Sequence, residues 1–410
     1  MVSPRSLKKL VPSCFRPTWE GQDEGTSSGV GGHTSLWWQR ESGHHHYGDY
    51  SMAAIKANII VEDNCQLESG PMSLDASGPS GTFVGIYDGH GGAQASRFIS
   101  DHLFDHMKRI ATEEGGMSDD VIKRAFMATE EEFLSKVEQE WEATPTMASV
   151  GSCCLVGVVC GGMIYVASSG DSRAVLGRSF KPEIHMESIA LSKDHNVNDE
   201  TVRDELQMQH PNVENIVVQR GGVWRVKGII QISRSLGDAY LKNPEFNRPP
   251  LLAKYRVPEP FDEPFILAEP TLEVHGIQPR DEFIIFASDG LWDHLTNQEA
   301  VDIVNSKSRR GIAEKLVKAA LKALAKARNM KYKELRKIQI ENRRNFHDDI
   351  TVVVLFLDSK LISRSSTTAS SSSSSSSRSL RVPTVSVRTY EISTDRAGPS
   401  SGTDVAAHDD

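Results

Sequence analysis

Apolar residues along this 410-residue chain recur with two periods, and the change from one to the other outlines its elements. Short β-rich runs at Thr82–Tyr87, Cys153–Val159 and Met163–Ala167 read as strands bounded by turn residues. Strand-like runs also occur at 57–61, 283–288 and 350–354. Between Ala93 and Met107 the spacing lengthens, placing Ala95, Phe98, Ile99, Leu103 and Phe104 on one helical face, and Val121, Ile122, Ala125, Phe126 and Phe133 repeat this between Asp119 and Val137. Both segments predict amphipathic helices laid on a sheet. Hairpin-like strand spacing favours antiparallel pairing over a βαβ series, so the pattern alone gives an α+β fold of two or more layers.

Two stretches test that outline. No charge occurs from Thr144 to Gly170, a length able to cross a bilayer, but Gly161 and Gly162 split it into two strand-length halves, which predicts a buried hairpin and no transmembrane segment. From Lys307 to Arg344 fourteen Lys or Arg stand against three acids, while Ile312, Leu316, Ala319, Ala320, Ala323 and Ala327 follow the helical period. That predicts a helix packed on the core with a solvated basic face. At the ends, residues 1–46 mix Pro, Gly, Ser and isolated aromatics without a period and predict a poorly ordered extension, with Trp37 and Trp38 as its docking point. Residues 359–410, with unbroken serine from Ser370 to Ser377, lack the apolar surface to offset ordering entropy and predict a disordered tail. The domain expected between them is 47–358.

Composition narrows the function. The hydrophobic share of 38% and charged share of 25% fit a soluble globular protein. Residues 20–359 hold 36 basic and 50 acidic side chains, which argues against a nucleic-acid partner and against a nuclease. Five cysteines, an odd number without a C-x-x-C pair, and no secretory-type leader point to buried thiols in an intracellular compartment, cytoplasm or nucleus.

The chemistry lies in four acidic clusters, each where an apolar run gives way to a turn: Glu62-Asp63, Asp88-Gly89-His90, Asp289 to Asp293, and Asp348-Asp349. Carboxylates beside buried strands repel one another and resist desolvation unless a cation offsets them. Oxygen-only donors suit hard divalent ions, Mg²⁺ or Mn²⁺.

These clusters, in this order, resemble the metal-dependent protein phosphatases of type 2C. Gly170-Asp171-Ser172-Arg173, Lys193-Asp194-His195 and Ser233 to Asp238 add to the likeness, which spans roughly residues 47–358. Gly48 to Ala53, Ala239 to Lys242, the Pro-rich stretch ending Glu269-Pro270, and Asn345 to Asp349 are similar to the plant subgroup called clade D. The resemblance implies a four-layer αββα sandwich, two antiparallel sheets flanked by helix pairs. It also implies a monomeric Ser/Thr phosphatase with two Mg²⁺ or Mn²⁺ ions, plus a third and weaker one, and a hydroxide bridging the two ions as nucleophile. Carried over by position, Asp88 bridges both ions; Gly89, through its carbonyl, and Glu62 hold one, and Asp289 and Asp348 the other. Asp171 and Asp293 complete the third site with Asp289, Asp63 orients metal-bound water, and His90 is the general acid for the leaving oxygen.

One departure stands out. Many relatives carry a phosphate-gripping Arg four residues before the metal-binding Glu, where this chain has Asn58. By strand alternation Lys56 shares the face of Asn58 and becomes the expected substitute. The missing Arg also leaves open a catalytically weak scaffold that keeps the fold and binds partners. Asp349 stands where the family usually has Asn, which leaves Asp348 or Asp349 as the ligand. A clade D-like chain is expected to act on phosphoprotein substrates such as plasma-membrane proton pumps, peripherally at that membrane, and to be inhibited by small auxin-induced proteins. The segments 196–227 and 243–269 carry no chemistry that can be assigned from sequence.

Overall fold

The computed structural model describes residues 37–76, 78–180, 185–362 and 384–389. Its strands are β1 (Trp37–His45), β2 (Gly48–Ile55), β3 (Asn64–Pro71), β4 (Ser80–His90), β5 (Gly151–Cys160), β6 (Met163–Ser169), β7 (Arg173–Phe180) and β8 (His185–Ala190). They continue with β9 (Val217–Arg220), β10 (Val223–Val226), β11 (Leu236–Gly237), β12 (Thr271–Gly276), β13 (Asp281–Ala287), β14 (Ile350–Phe356) and β15 (Val385–Arg388).

One sheet runs β1-β2-β14-β13-β7-β8 and the other β12-β6-β5-β4-β3-β15, with β11 paired to β5, and the ladders within both sheets are antiparallel. Alternation along the central strands explains their long apolar runs. In β14, Val353 and Leu355 face the second sheet with Ile284, Phe286, Val84 and Leu155, while Val352, Val354 and Phe356 face helices. Both faces are covered, so the strand is apolar apart from Thr351, whose hydroxyl donates to Asp63 at 2.7 Å.

The helices Gln94–Glu113 and Asp119–Glu140 cover the β4 sheet through Ile99, Leu103, Met107, Val121, Ile122 and Phe126, as the helical spacing predicts. The second is started by Ser118, whose hydroxyl accepts from the Val121 N–H at 3.2 Å. Asn297–Asn305 and Ile312–Ala327 cover the β14 sheet. The result is helix pair, sheet, sheet, helix pair, with the charge-free stretch forming the hairpin β5–β6 at its centre.

Three expectations need correction. The basic segment is one helix ending at Ala327 followed by single turns at Tyr332–Leu335 and Ile340–Arg343, and Leu321 and Leu324, not Ala327, complete its buried stripe. Residues 37–45, placed in the N-terminal extension, are the edge strand β1, paired with β2. Within the tail, Val385–Arg388 adds to the β3 edge. Val387 is buried in the inter-sheet core, Arg388 pairs with Glu68 at 3.3 Å, and the Thr389 hydroxyl accepts from the Cys65 N–H at 2.8 Å. Average composition hid this strand, because a six-residue β-forming segment is outweighed by the serine run around it. The serine run itself and residues 1–36 lie outside the described residues.

Candidate active site

Strands of both sheets deliver their acidic ends to one place. β4 ends in Asp88-Gly89-His90, Asp289 follows β13, Asp171 follows β6, and Asp348 precedes β14. Carboxylate oxygens of Asp88, Asp171 and Asp289 lie within 4.8 Å of one another. The Asp289 N–H donates to Asp88 Oδ2 at 3.4 Å, while Asp289 Oδ1 is buried without a hydrogen-bond partner. Desolvation first, and then the neighbouring carboxylates, push Asp88 and Asp289 well above the ordinary carboxylate range. Asp348 is raised by burial against the opposing pull of Arg344, and Glu62 by burial and Asp349. An orphaned buried oxygen amid mutually repelling, oxygen-only donors is what a hard divalent cation satisfies, so the residues present fit one.

Asp349 organises the approach to this cluster. Its Oδ1 accepts from the N–H of Ala57 at 2.6 Å and of Asn58 at 3.2 Å, and its Oδ2 from the Glu62 N–H at 2.9 Å. These bonds compete with ladder pairing. The run 57–61, strand-like by composition, is therefore an irregular loop between β2 and β3. Asp349 is 1% exposed and its lone pairs are taken, whereas Asp348 is partly open and contacts Arg344. Geometry thus offers Asp348 to a ligand and spends Asp349 on the loop.

The same loop explains Gly89. A Cβ there would lie 2.5 Å from the Glu62 carbonyl oxygen, which accepts from the Ser96 hydroxyl at 2.5 Å. Only glycine lets the Glu62 backbone come so close to β4. Asp63 is buried behind the site, its Oδ2 accepting from Ser288 at 2.9 Å and Thr351 at 2.7 Å, so it braces the residues that flank Asp289 and β14. Asp171 accepts from Cys153 at 3.1 Å and from Asn196 at 2.8 Å, tying the segment after residue 196 to the site. Asp293 is exposed and outside the three-carboxylate group.

One position differs from expectation and another gains a partner. Lys56 is 1% exposed, and because β2 stops at Ile55 the alternation that linked it to Asn58 does not apply. A side chain so buried offers no phosphate contact. His90, in turn, has a partner that sequence reasoning passed over: Nε2 is 2.7 Å from Asp238 Oδ2. Asp238 is fully buried and also accepts from Ser235 at 2.6 Å. Its backbone is left-handed, at φ 51°. Burial pulls the imidazole pKa down, but Asp238 more than reverses this, so His90 sits above its ordinary value. Asp238 itself is held low, burial being outweighed by His90 and Ser235.

A family model for protein phosphatase 2C matches residues 53–330. The chain belongs to the protein phosphatase 2C family. It is 55% identical over 367 residues to probable protein phosphatase 2C 38 of Arabidopsis thaliana, covering 89% of this chain and 95% of that protein. It is 50% identical over 383 residues to probable protein phosphatase 2C 28 of Oryza sativa subsp. japonica, covering 93% and 96%. The fold matches the crystal structure of a serine-threonine phosphatase 2C from Toxoplasma gondii with a TM-score of 0.55 at 19% identity, over 77% of this chain and 96% of that one. This protein phosphatase 2C is therefore a metal-dependent protein serine/threonine phosphatase with the family's sandwich fold. The family depends on Mg²⁺ or Mn²⁺, and the acidic cluster is where the phosphatase has the donors for such ions.

Sequence reading named Ser233 to Asp238 as family-like without giving it a task. Locally it shows only an Asp next to a glycine, which is ordinarily a turn. The contact with His90 spans 148 positions and leaves no local trace.

Proposed function

We propose that this chain hydrolyses phosphoserine and phosphothreonine in proteins with two divalent ions and no protein nucleophile. Asp88 is the shared ligand, Gly89 and Glu62 serve one ion, and Asp289 and Asp348 the other. Asp171 with Asp293 provides for a weaker third ion. When bound, the ions neutralise phosphate charge and make water nucleophilic near neutral pH. Water oxygen attacks phosphorus, the bond from phosphorus to the Ser or Thr oxygen breaks, and His90 passes its proton to that leaving oxygen. Asp238 fixes the imidazole so that Nε2 is engaged and the ring faces one way.

The observation that carries this reading is the convergence of Asp88, Asp171 and Asp289 within 4.8 Å, with His90 two residues along β4 from Asp88. Its direct test is phosphate release from a phosphothreonine peptide with Mn²⁺, with EDTA, and in an Asp88→Asn variant. Activity in the first condition alone is expected. Turnover by a folded Asp88→Asn protein would refute the shared-ligand role. The clade D-like segments support a finer assignment to that subgroup. On it, the substrate is a phosphothreonine such as that of plasma-membrane proton pumps, the inhibitors are small auxin-induced proteins, and the enzyme is an intracellular monomer working at that membrane's inner face.

A further inference from the structure

The phosphate contact expected at the position of Asn58 has no cation there, and Lys56 is buried. Arg173 is also near the site, but its guanidinium is committed to Asp194 at 2.5 and 3.1 Å and to Asn297 at 2.8 Å. Arg344 is differently placed. It stands on the loop that follows the single turn Ile340–Arg343, its side chain is 51% exposed, and its head contacts Asp348. Its positive charge opposes the upward push on Glu62 and Asp293, two further acids assigned to the site. Its neighbour Arg343 anchors the loop, donating to the carbonyls of Ile338 at 3.0 Å and Lys56 at 3.4 Å. The last of these joins the two loops that carry Asn58 and Arg344.

We infer that Arg344 is the phosphate-gripping residue of this chain, taking the dianionic phosphoryl group of a phosphoserine or phosphothreonine, or free inorganic phosphate, in place of an arginine at position 58. The inference rests on the phosphatase reading of the same site. A guanidinium fork suits two oxygens of one phosphoryl group, and the side chain is half exposed beside Asp348. Asp348 restrains it while that carboxylate carries its full charge. Were Asp348 to hold an ion, its carboxylate would attract the guanidinium less and leave the Arg344 head available to a phosphoryl oxygen. The arrangement also explains how Asn58 is tolerated: its amide donates to Glu62 at 3.2 Å, orienting that carboxylate rather than the substrate.

The test is calorimetric binding of inorganic phosphate to the Mn²⁺-loaded full chain, beside a Mn²⁺ titration without phosphate, for wild type, Arg344→Ala, Arg344→Lys, and Arg344→Ala with Asn58→Arg. Losing a charge-assisted pair should weaken phosphate binding by about tenfold or more in Arg344→Ala and raise KM for a phosphothreonine peptide more than it lowers kcat. Mn²⁺ affinity should hold or rise, because a cation beside Glu62 and Asp348 has been removed. Lysine should recover part of the phosphate affinity as a point charge, and Asn58→Arg should recover more. Unchanged phosphate affinity in Arg344→Ala would overturn the inference. So would parallel losses of Mn²⁺ and phosphate, which would make Arg344 a brace for Asp348. Arginine-dependent phosphate binding by a chain without peptide hydrolysis would sink the enzymatic reading while leaving this one standing.

Discussion

Replacing Asp238 by Asn isolates one charge. The carboxylate accepts from His90 at 2.7 Å and from Ser235 at 2.6 Å through the same oxygen, so an amide oxygen can keep both bonds while the negative charge is lost. A hydrogen bond to a charged group contributes about 1.5–3 kcal/mol, roughly twice a neutral one, so the change removes about 0.8–1.5 kcal/mol from the protonated imidazole. On the alkaline limb, where the protonated fraction falls with the pKa, that corresponds to a loss of up to about 4- to 13-fold in kcat on a phosphothreonine peptide, whose alkoxide must be protonated to leave. Hydrolysis of p-nitrophenyl phosphate, which releases a stable phenolate, should be nearly unchanged. The pH profile gives a second readout. Asp238 holds the His90 pKa up, and an acid is lost as pH rises through its pKa, so the alkaline limb for the peptide should move to lower pH in the variant. Equal losses on both substrates with an unmoved alkaline limb would refute the reasoning and reduce Asp238 to a structural support.

Asp349→Ala should destabilise the fold by about 3 kcal/mol in urea denaturation, since it strips acceptors from the buried N–H groups of the loop between β2 and β3; a loss under about 1 kcal/mol would contradict its bracing role. Metal-free protein should lose stability as pH rises from the ordinary carboxylate range through the raised pKa values of Asp88 and Asp289, because there the folded state holds more protons than the unfolded one. Thermal melts should show that loss, and Mn²⁺ should offset it increasingly with pH. Val387→Asp should lower Tm by a few degrees, because it puts an unpaired charge where Val387 is 8% exposed; an unchanged Tm would mean that β15 adds nothing to the fold.

The central layers were legible because two covered faces force long apolar runs, Phe283–Ala287 in β13 and Val352–Phe356 in β14, and the flanking helices to carry a stripe. The acidic cluster of Asp88, Asp171 and Asp289 was legible for a related reason, as acids at strand ends have few structural uses. What stayed hidden depends on long-range pairing. Nothing local in residues 57–61 says that a carboxylate from position 349 will capture their N–H groups and stop a strand from forming. Lys56 was misassigned because 57–61 was read as a strand, whereas β2 ends at Ile55 and a loop follows. Asp238 resembles a turn aspartate until the fold brings it to His90, and Arg344 reads as one more charge in a basic segment until its loop reaches Asp348. The strand at 385–388 was lost by averaging it with serine.

The account turns on Asp88 standing between two ions, and anomalous diffraction from crystals grown with Mn²⁺ tests that most directly. It predicts two strong peaks flanking the Asp88 carboxylate, one bounded by Gly89 and Glu62 and the other by Asp289 and Asp348, with Asp349 bound to neither. A single peak that leaves Asp88 unliganded, or peaks centred on Asp349, would contradict it.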